Sequence, residues 1–293
     1  MRLGGLLLPL AIVACATPAA LPPLNPEPTN VVTPGRPVWH DLVTSDFDAA
    51  KRFYGGLFGW TFQDFEVREG RYALASLAGR PVAGILHPGT RDVNVSQWIT
   101  YFSVEDVDAA AETGAKGGAR VLVPPRDIAN QGRAALLLDP HGAPVAVARL
   151  AGGDPAPSPP RVNGWLWVDL WTRDPADSLA FYRTLLGLEA ETVERGGAPY
   201  TMLGRGDRAY AGMIRIPQPE IRPNWLPIVR VADAQRAAER AVELGGRVLL
   251  APSPEIRGGQ AAIVADPAGG AIAVHVWEAA RSPGSSARAE VRP

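Results

Sequence analysis

From Asp46 to Phe58 the apolar side chains fall at Ala49, Ala50, Phe53, Tyr54 and Leu57, the spacing of one helix face, and Gly59 closes the run. A short strand pattern, Arg36 to Ser45, precedes it, and three more follow at Trp60 to Val67, Arg71 to Leu77 and Pro81 to His87. The same order then returns. A strand is predicted over Gln97 to Val104 and a helix from Val107 to about Ala115, ended by Gly117-Gly118. Strands follow at Arg120 to Val123, Ala134 to Leu138 and Pro144 to Leu150. Asp46 and Asp174 stand where an N-cap carboxylate accepts the orphan amides of a helix start. The unit is βαβββ.

The whole arrangement is written twice. Trp39-His40-Asp41-Leu42 reappears 128 residues later as Trp167-Val168-Asp169-Leu170, and Phe53-Tyr54, Tyr72 and Ala83-Gly84 are answered by Phe181-Tyr182, Tyr200 and Ala211-Gly212. A fixed period of this kind is the mark of a duplicated structural unit. Residues 223 to 278 supply the fourth unit, with Trp225 matching Trp98 and Asp266-Pro267 matching Asp139-Pro140. The expected fold is α+β, four βαβββ modules paired into two domains at residues 35–150 and 161–278, joined by a Pro- and Gly-rich linker at 151–160. Residues 279–293 read as a disordered tail.

Of the 293 residues 46% are hydrophobic and 20% charged, with a formal net charge of −1. No basic cluster of the kind that binds nucleic acid is present. The N-terminus changes the picture more. Arg2, the apolar run Leu3 to Ala14 and then Cys15 form a segment too short to span a bilayer but suited to a secretory signal. Ile12-Val13-Ala14-Cys15 resembles a bacterial lipobox. The expectation is a signal peptide over 1–14, lipid attachment at Cys15, and residues 15–34 as a tether to a cell-envelope membrane, facing the periplasm or exterior. A plain signal peptide with an incidental cysteine is the alternative. Cys15 is the sole cysteine, so a disulfide or a cysteine-built metal site elsewhere is excluded.

The strand-Asp-helix pattern with Phe-Tyr-x-x-Leu-x-Gly, the Gly-Gly after the second helix of each pair, and the Asp-Pro-x-Gly turns at Asp139 and Asp266 resemble the vicinal oxygen chelate superfamily. That superfamily includes glyoxalase I, bleomycin-resistance proteins and extradiol dioxygenases. The resemblance covers about residues 36–150 and 161–278. It implies two modules per domain, forming a U-shaped sheet around a cavity, with metal ligands on first and last strands in the metal-dependent members. Here those positions hold Trp39, Ile99 and Ala146, and Trp167, Leu226 and Ala273. None is a donor for a divalent ion.

Side chains alternate between the faces of a strand. Val168 and Leu170 then face the helices, while Trp167, Asp169 and Trp171 face the cavity, as do Trp39 and Asp41 in the first domain. Asp41 and Asp169 are the candidate catalytic groups, since a carboxylate among aromatics has a raised pKa; a structural, hydrogen-bonded role is the competing reading. His275, opposite the packed Ile272, Val274 and Val276, is the third catalytic candidate, expected to look into the second cavity with Asp169 as a proton donor or acceptor, with a rim histidine of no consequence as the alternative. His40 falls on the helix-facing side as a packed histidine, and His87 and His141 are expected at the surface. Trp39, Trp98, Tyr101, Trp167, Trp171 and Trp225 are candidates to line a ligand cavity or else to fill it. The loops Asn130 to Arg133 and Arg257 to Gln260 are placed at a cavity mouth.

Three functions remain open. The first is binding of a small organic molecule with no cofactor, as bleomycin-resistance proteins sequester a drug. The second is a metal-dependent lyase, isomerase or dioxygenase. The third is a structural envelope module. Oligomeric state is not legible.

Overall fold

A computed structural model describes residues 20–68, 70–89, 96–195 and 198–277. The signal segment, Cys15 and the tail beyond Trp277 lie outside these residues. No helix among the described residues is long and apolar enough to cross a membrane.

The first module comprises β1 (Pro37–Val43), α1 (Phe47–Phe58), β2 (Thr61–Val67), β3 (Gly70–Leu77) and β4 (Arg80–Pro88). The second comprises β5 (Gln97–Ser103), α2 (Val107–Lys116), β6 (Arg120–Ile128), β7 (Gly132–Leu138) and β8 (Pro144–Leu150). In the third are β9 (Trp165–Thr172), α3 (Pro175–Leu186), β10 (Glu189–Arg195), β11 (Ala198–Arg205) and β12 (Arg208–Arg215). The fourth holds β13 (Asn224–Val231), α4 (Ala234–Glu243), β14 (Arg247–Leu250), β15 (Ala261–Ala265) and β16 (Ala271–Val276), with a single 3-10 turn at Arg257–Gly259. Modules pair into two eight-stranded sheets, ordered β2-β3-β4-β1-β5-β8-β7-β6 and β10-β11-β12-β9-β13-β16-β15-β14. The α+β fold of four βαβββ modules in two domains is therefore observed.

Capping fixes the helix starts. Asp46 and Asp174 cap α1 and α3, and Asp106 and Asp233 do the same for α2 and α4. One strand runs further than its sequence suggests: β6 continues through Pro124-Pro125 to Ile128, with a register shift between Val123 and Arg126. It is the outermost strand of its sheet, where missing amide donors are tolerated.

The helices of one domain pack against those of the other. Phe53, Tyr54, Phe58 and Trp98 share a core with Val229, Ala241 and Val274, and Phe102 and Leu137 share a second with Phe181, Leu185 and Trp225. Module one thus meets module four, and module two meets module three. The Asp-Pro-x-Gly turns complete this interface. Asp266 closes its own turn with one oxygen, accepting from the Ala268 and Gly270 amides. Its other oxygen accepts from the Tyr54 hydroxyl at 3.2 Å and from Ser96 at 2.8 Å, and Tyr54 in turn accepts from the Trp98 indole at 3.0 Å. Asp139, Tyr182 and Trp225 repeat the chain, with bonds of 2.9 Å and 2.9 Å.

Each sheet turns its other, concave face away from this interface, and the two concave faces differ. In the first domain Leu21 and Leu24 pack on Val38, Trp39, Tyr72 and Leu150. The Leu21 and Pro22 carbonyls accept from Asn130 and Gln131 side chains. Farther on, the Thr29 and Asn30 amides bond to the Gly152 carbonyl, and Asp154 anchors the Thr33 amide at 2.7 Å. Over its described residues, 20–34, this segment packs against the first sheet as a plug and is held by the linker.

Candidate functional site

Alternation along β1 and β9 places Trp39 and Asp41, and Trp167, Asp169 and Trp171, on the concave faces. In the first domain Asp41 is buried at 9% exposure. Its Oδ1 accepts from the Trp39 indole at 2.8 Å and the Tyr72 hydroxyl at 3.1 Å; its Oδ2 accepts from Tyr101 at 2.7 Å. Burial pushes the Asp41 carboxyl pKa up, while the bonds from Tyr101, Trp39, Tyr72 and the Gly84 amide pull the other way. Burial also pushes the Tyr72 and Tyr101 phenols well above their usual range, and the nearby Asp41 charge adds to it.

The close approach needs a glycine on the neighbouring strand. A Cβ at Gly84 would strike Asp41 Oδ1 and the Tyr72 hydroxyl, and one at Gly212 would strike Tyr200 and Asp169. Tyr72 and Tyr200 were absent from the candidate residues. Their signal lay in the repeat, which pairs both the tyrosines and the glycines.

In the second domain the Tyr200 hydroxyl donates to Asp169 Oδ1 and accepts from the Trp167 indole at 2.9 Å. Burial, then Asp169, pushes the Tyr200 pKa up. Ile228 pairs with Trp167 where Tyr101 pairs with Trp39. Trp171 stands where the first domain has Val43. The Arg257 guanidinium, carried by the 3-10 turn, lies 5.5 Å from the Tyr200 ring centre, a cation–π contact at the edge of this face. Trp167, Trp171, Ile263 and Ala271 are only partly buried. The Trp171 indole nitrogen is buried and has no hydrogen-bond partner among the described residues. Chemically this face offers aromatic and aliphatic walls, one unpaired N–H donor and a cation at the rim.

Other candidates lie elsewhere. Trp98 and Trp225 do not line the concave faces: Trp98 pairs with Leu42 and Trp225 with Leu170, both helix-facing, and each indole is buried in the interdomain core. His275 shares the concave face, at a register position away from that of Asp169. It pairs with Arg230, while Asp169 pairs with Leu226 four residues earlier on β13. Strand rise and spacing put the two roughly 15 Å apart. His40 is buried, its Nδ1 3.1 Å from the Thr100 hydroxyl and its ring 4.3 Å from that of Trp165. Burial lowers its pKa to about 3. His87 and His141, expected at the surface, are partly buried beside the Thr44 carbonyl and the Asp177 carboxylate.

The positions that would carry a metal in this fold do not fit one. Across the first sheet Ile99 lies opposite Asp41, and Ala146 lies beside Tyr101, itself opposite Trp39. The second sheet offers Trp167, Leu226 and Ala273. Indole and alkyl groups donate no lone pair to a divalent ion, and Asp41 already accepts from both phenols and the indole. No three His, Cys, Asp or Glu side chains cluster among the described residues.

The family model described as Glyoxalase/Bleomycin resistance protein/Dioxygenase superfamily matches residues 36–147 and 164–274. "Putative glyoxylase CFP32" of Mycobacterium tuberculosis (strain CDC 1551 / Oshkosh) is 35% identical over 245 residues, 82% of this chain and 94% of that one. The "Anthracycline biosynthesis protein DnrV" of Streptomyces peucetius is 32% identical over 259 residues, 82% of this chain and 93% of its own. A Mn(II)-bound glyoxalase from Novosphingobium aromaticivorans superposes with a TM-score of 0.55 at 17% identity, covering 84% of this chain and 83% of that chain. At that identity the likeness concerns the fold. With both repeats matched and relatives aligned along most of its length, the chain belongs to the glyoxalase/bleomycin resistance protein/dioxygenase superfamily.

Proposed function

We propose that this protein binds a flat, largely apolar organic molecule on the concave face of its second domain, without a metal ion. The observation that carries the reading is the Trp171 indole N–H, buried and unpartnered on a face of partly buried aromatic side chains. A buried donor without an acceptor is costly, and a ligand carbonyl or hydroxyl oxygen would satisfy it. Trp167 and Trp171 supply stacking surface, and Arg257 favours a ligand edge rich in oxygen. The first domain keeps the same Trp, Asp, Tyr and Gly but fills its face with Leu21 and Leu24; we assign it a structural role.

The relatives named for anthracycline biosynthesis make anthracyclines the natural first compounds in a panel of fused aromatics. A thermal-shift screen in EDTA tests the reading. Saturable stabilisation by at least one fused aromatic, weakened by Trp171→Phe, is expected. Stabilisation that requires an added divalent ion, or that ignores Trp171, contradicts it.

We further propose that Cys15 is lipidated and holds the protein to the bacterial envelope. Metabolic labelling with an alkynyl fatty acid should mark the wild-type protein in membranes and not Cys15→Ser. Equal labelling of both would refute this.

A further inference from the structure

A cavity of about 960 Å³ lies at the junction of the two domains; Trp167 lines it, whereas Trp171, Ile263 and Ala271 do not. Its walls come from the plug, the starts of β1 and β9, the turn between β3 and β4, the linker and the start of β12. Val82, Trp165, Tyr210 and the linker prolines make it largely apolar. Four arginines border it: Arg36, Arg80, Arg161 and Arg208. Only two are occupied. Arg80 pairs with Glu27 at 2.9 Å, and Arg36 donates to the Pro155 carbonyl with the Asp154 charge nearby. The Arg161 and Arg208 guanidinium groups have no ion pair or hydrogen bond among the described residues, and both residues are exposed. The nearby His40 does not add charge, because it is held neutral by burial.

Two guanidinium groups without an acidic partner among the described residues, set at the edge of a largely apolar hollow, offer charged N–H donors to an anion. We propose that this junction is a second ligand site, for an organic anion whose oxyanion head sits between Arg161 and Arg208 and whose apolar body lies along Trp165 and the linker prolines. Guanidinium groups suit planar or tetrahedral oxyanions through paired N–H donors. The volume is that of a site for a drug-sized molecule. The chemistry differs from that of the second domain's face, where the orphan group is an indole N–H.

The probe is 1-anilinonaphthalene-8-sulfonate, a sulfonate on fused rings, titrated into the full chain. Its fluorescence should saturate, and the component assigned to the junction is the one that a fatty carboxylate displaces. Decanoate should displace it and decanol should not. Arg161→Ala with Arg208→Ala should weaken binding about tenfold or more, and the double lysine variant should recover most of the affinity, with thermal midpoints near wild type. Trp171→Phe should leave the affinity unchanged. The proposal is overturned if the double alanine variant binds within twofold of wild type, if decanol competes as well as decanoate, or if Trp171→Phe removes the signal.

Discussion

Asp41 and Asp169 hold matched places on first strands, yet their surroundings ask different things of them. Asp41 gathers three side-chain donors in a sealed pocket. Asp41→Ala strands all three and should cost about 2–4 kcal/mol in urea unfolding, whereas Asp41→Asn keeps an acceptor and should cost under about 1.5 kcal/mol. Equal losses would show that charge, not hydrogen bonding, is what the site needs. Trp171→Phe removes an unsatisfied donor and should leave stability unchanged or slightly raised in the same assay; a loss above about 1 kcal/mol would mean that the indole N–H has a partner in the free protein. The alternation Trp167-Val168-Asp169-Leu170-Trp171 made these positions legible, because only one of its faces is uniformly aliphatic. The run Gln97-Trp98-Ile99-Thr100-Tyr101 has apolar groups on both faces, so period two could not say which way Trp98 points. Its pairing with Leu42 decides.

At the scale of elements, helices and caps were readable because each carries its own local signal. The plug was not. Leu21-Pro22-Pro23-Leu24 has no periodicity and reads as linker, while its two leucines find their pocket only once a distant sheet has formed. Leu24 is 8% exposed, and Leu21→Ala with Leu24→Ala should lower stability by roughly 3–6 kcal/mol, given the usual cost of emptying a leucine site. An unchanged denaturation midpoint would show that the segment merely rests on the surface. The extension of β6 through two prolines was hidden for a related reason: proline stops most strands, and only its position on the sheet's edge makes it harmless.

The two domains share both cores and the two Trp-Tyr-Asp chains, so the molecule should unfold as one cooperative unit. Duplication was plain from the repeat, but the pairing of module one with module four was not, since a sequence period says nothing about how copies meet. His40 sits near this junction, where burial lowers its pKa from 6.5 to about 3. The unfolded chain therefore binds a proton that the folded chain refuses between those values. The stability His40 allows is complete above pH 6.5 and lost as pH falls toward 3. Between pH 7 and 5 the wild type should lose about 1–2 kcal/mol more than His40→Asn, a comparison in which the opposite contribution of Asp41 cancels. Parallel pH profiles would contradict the assignment.

The measurement that bears most directly on the account is calorimetric titration of the EDTA-treated protein with an anthracycline, run beside Trp171→Phe and Asp41→Asn. One site per chain is predicted, independent of added metal, weakened about fivefold or more by Trp171→Phe and untouched by Asp41→Asn. Two equal sites, or binding that appears only when a divalent ion is restored, would contradict a metal-free second domain beside a plugged first one.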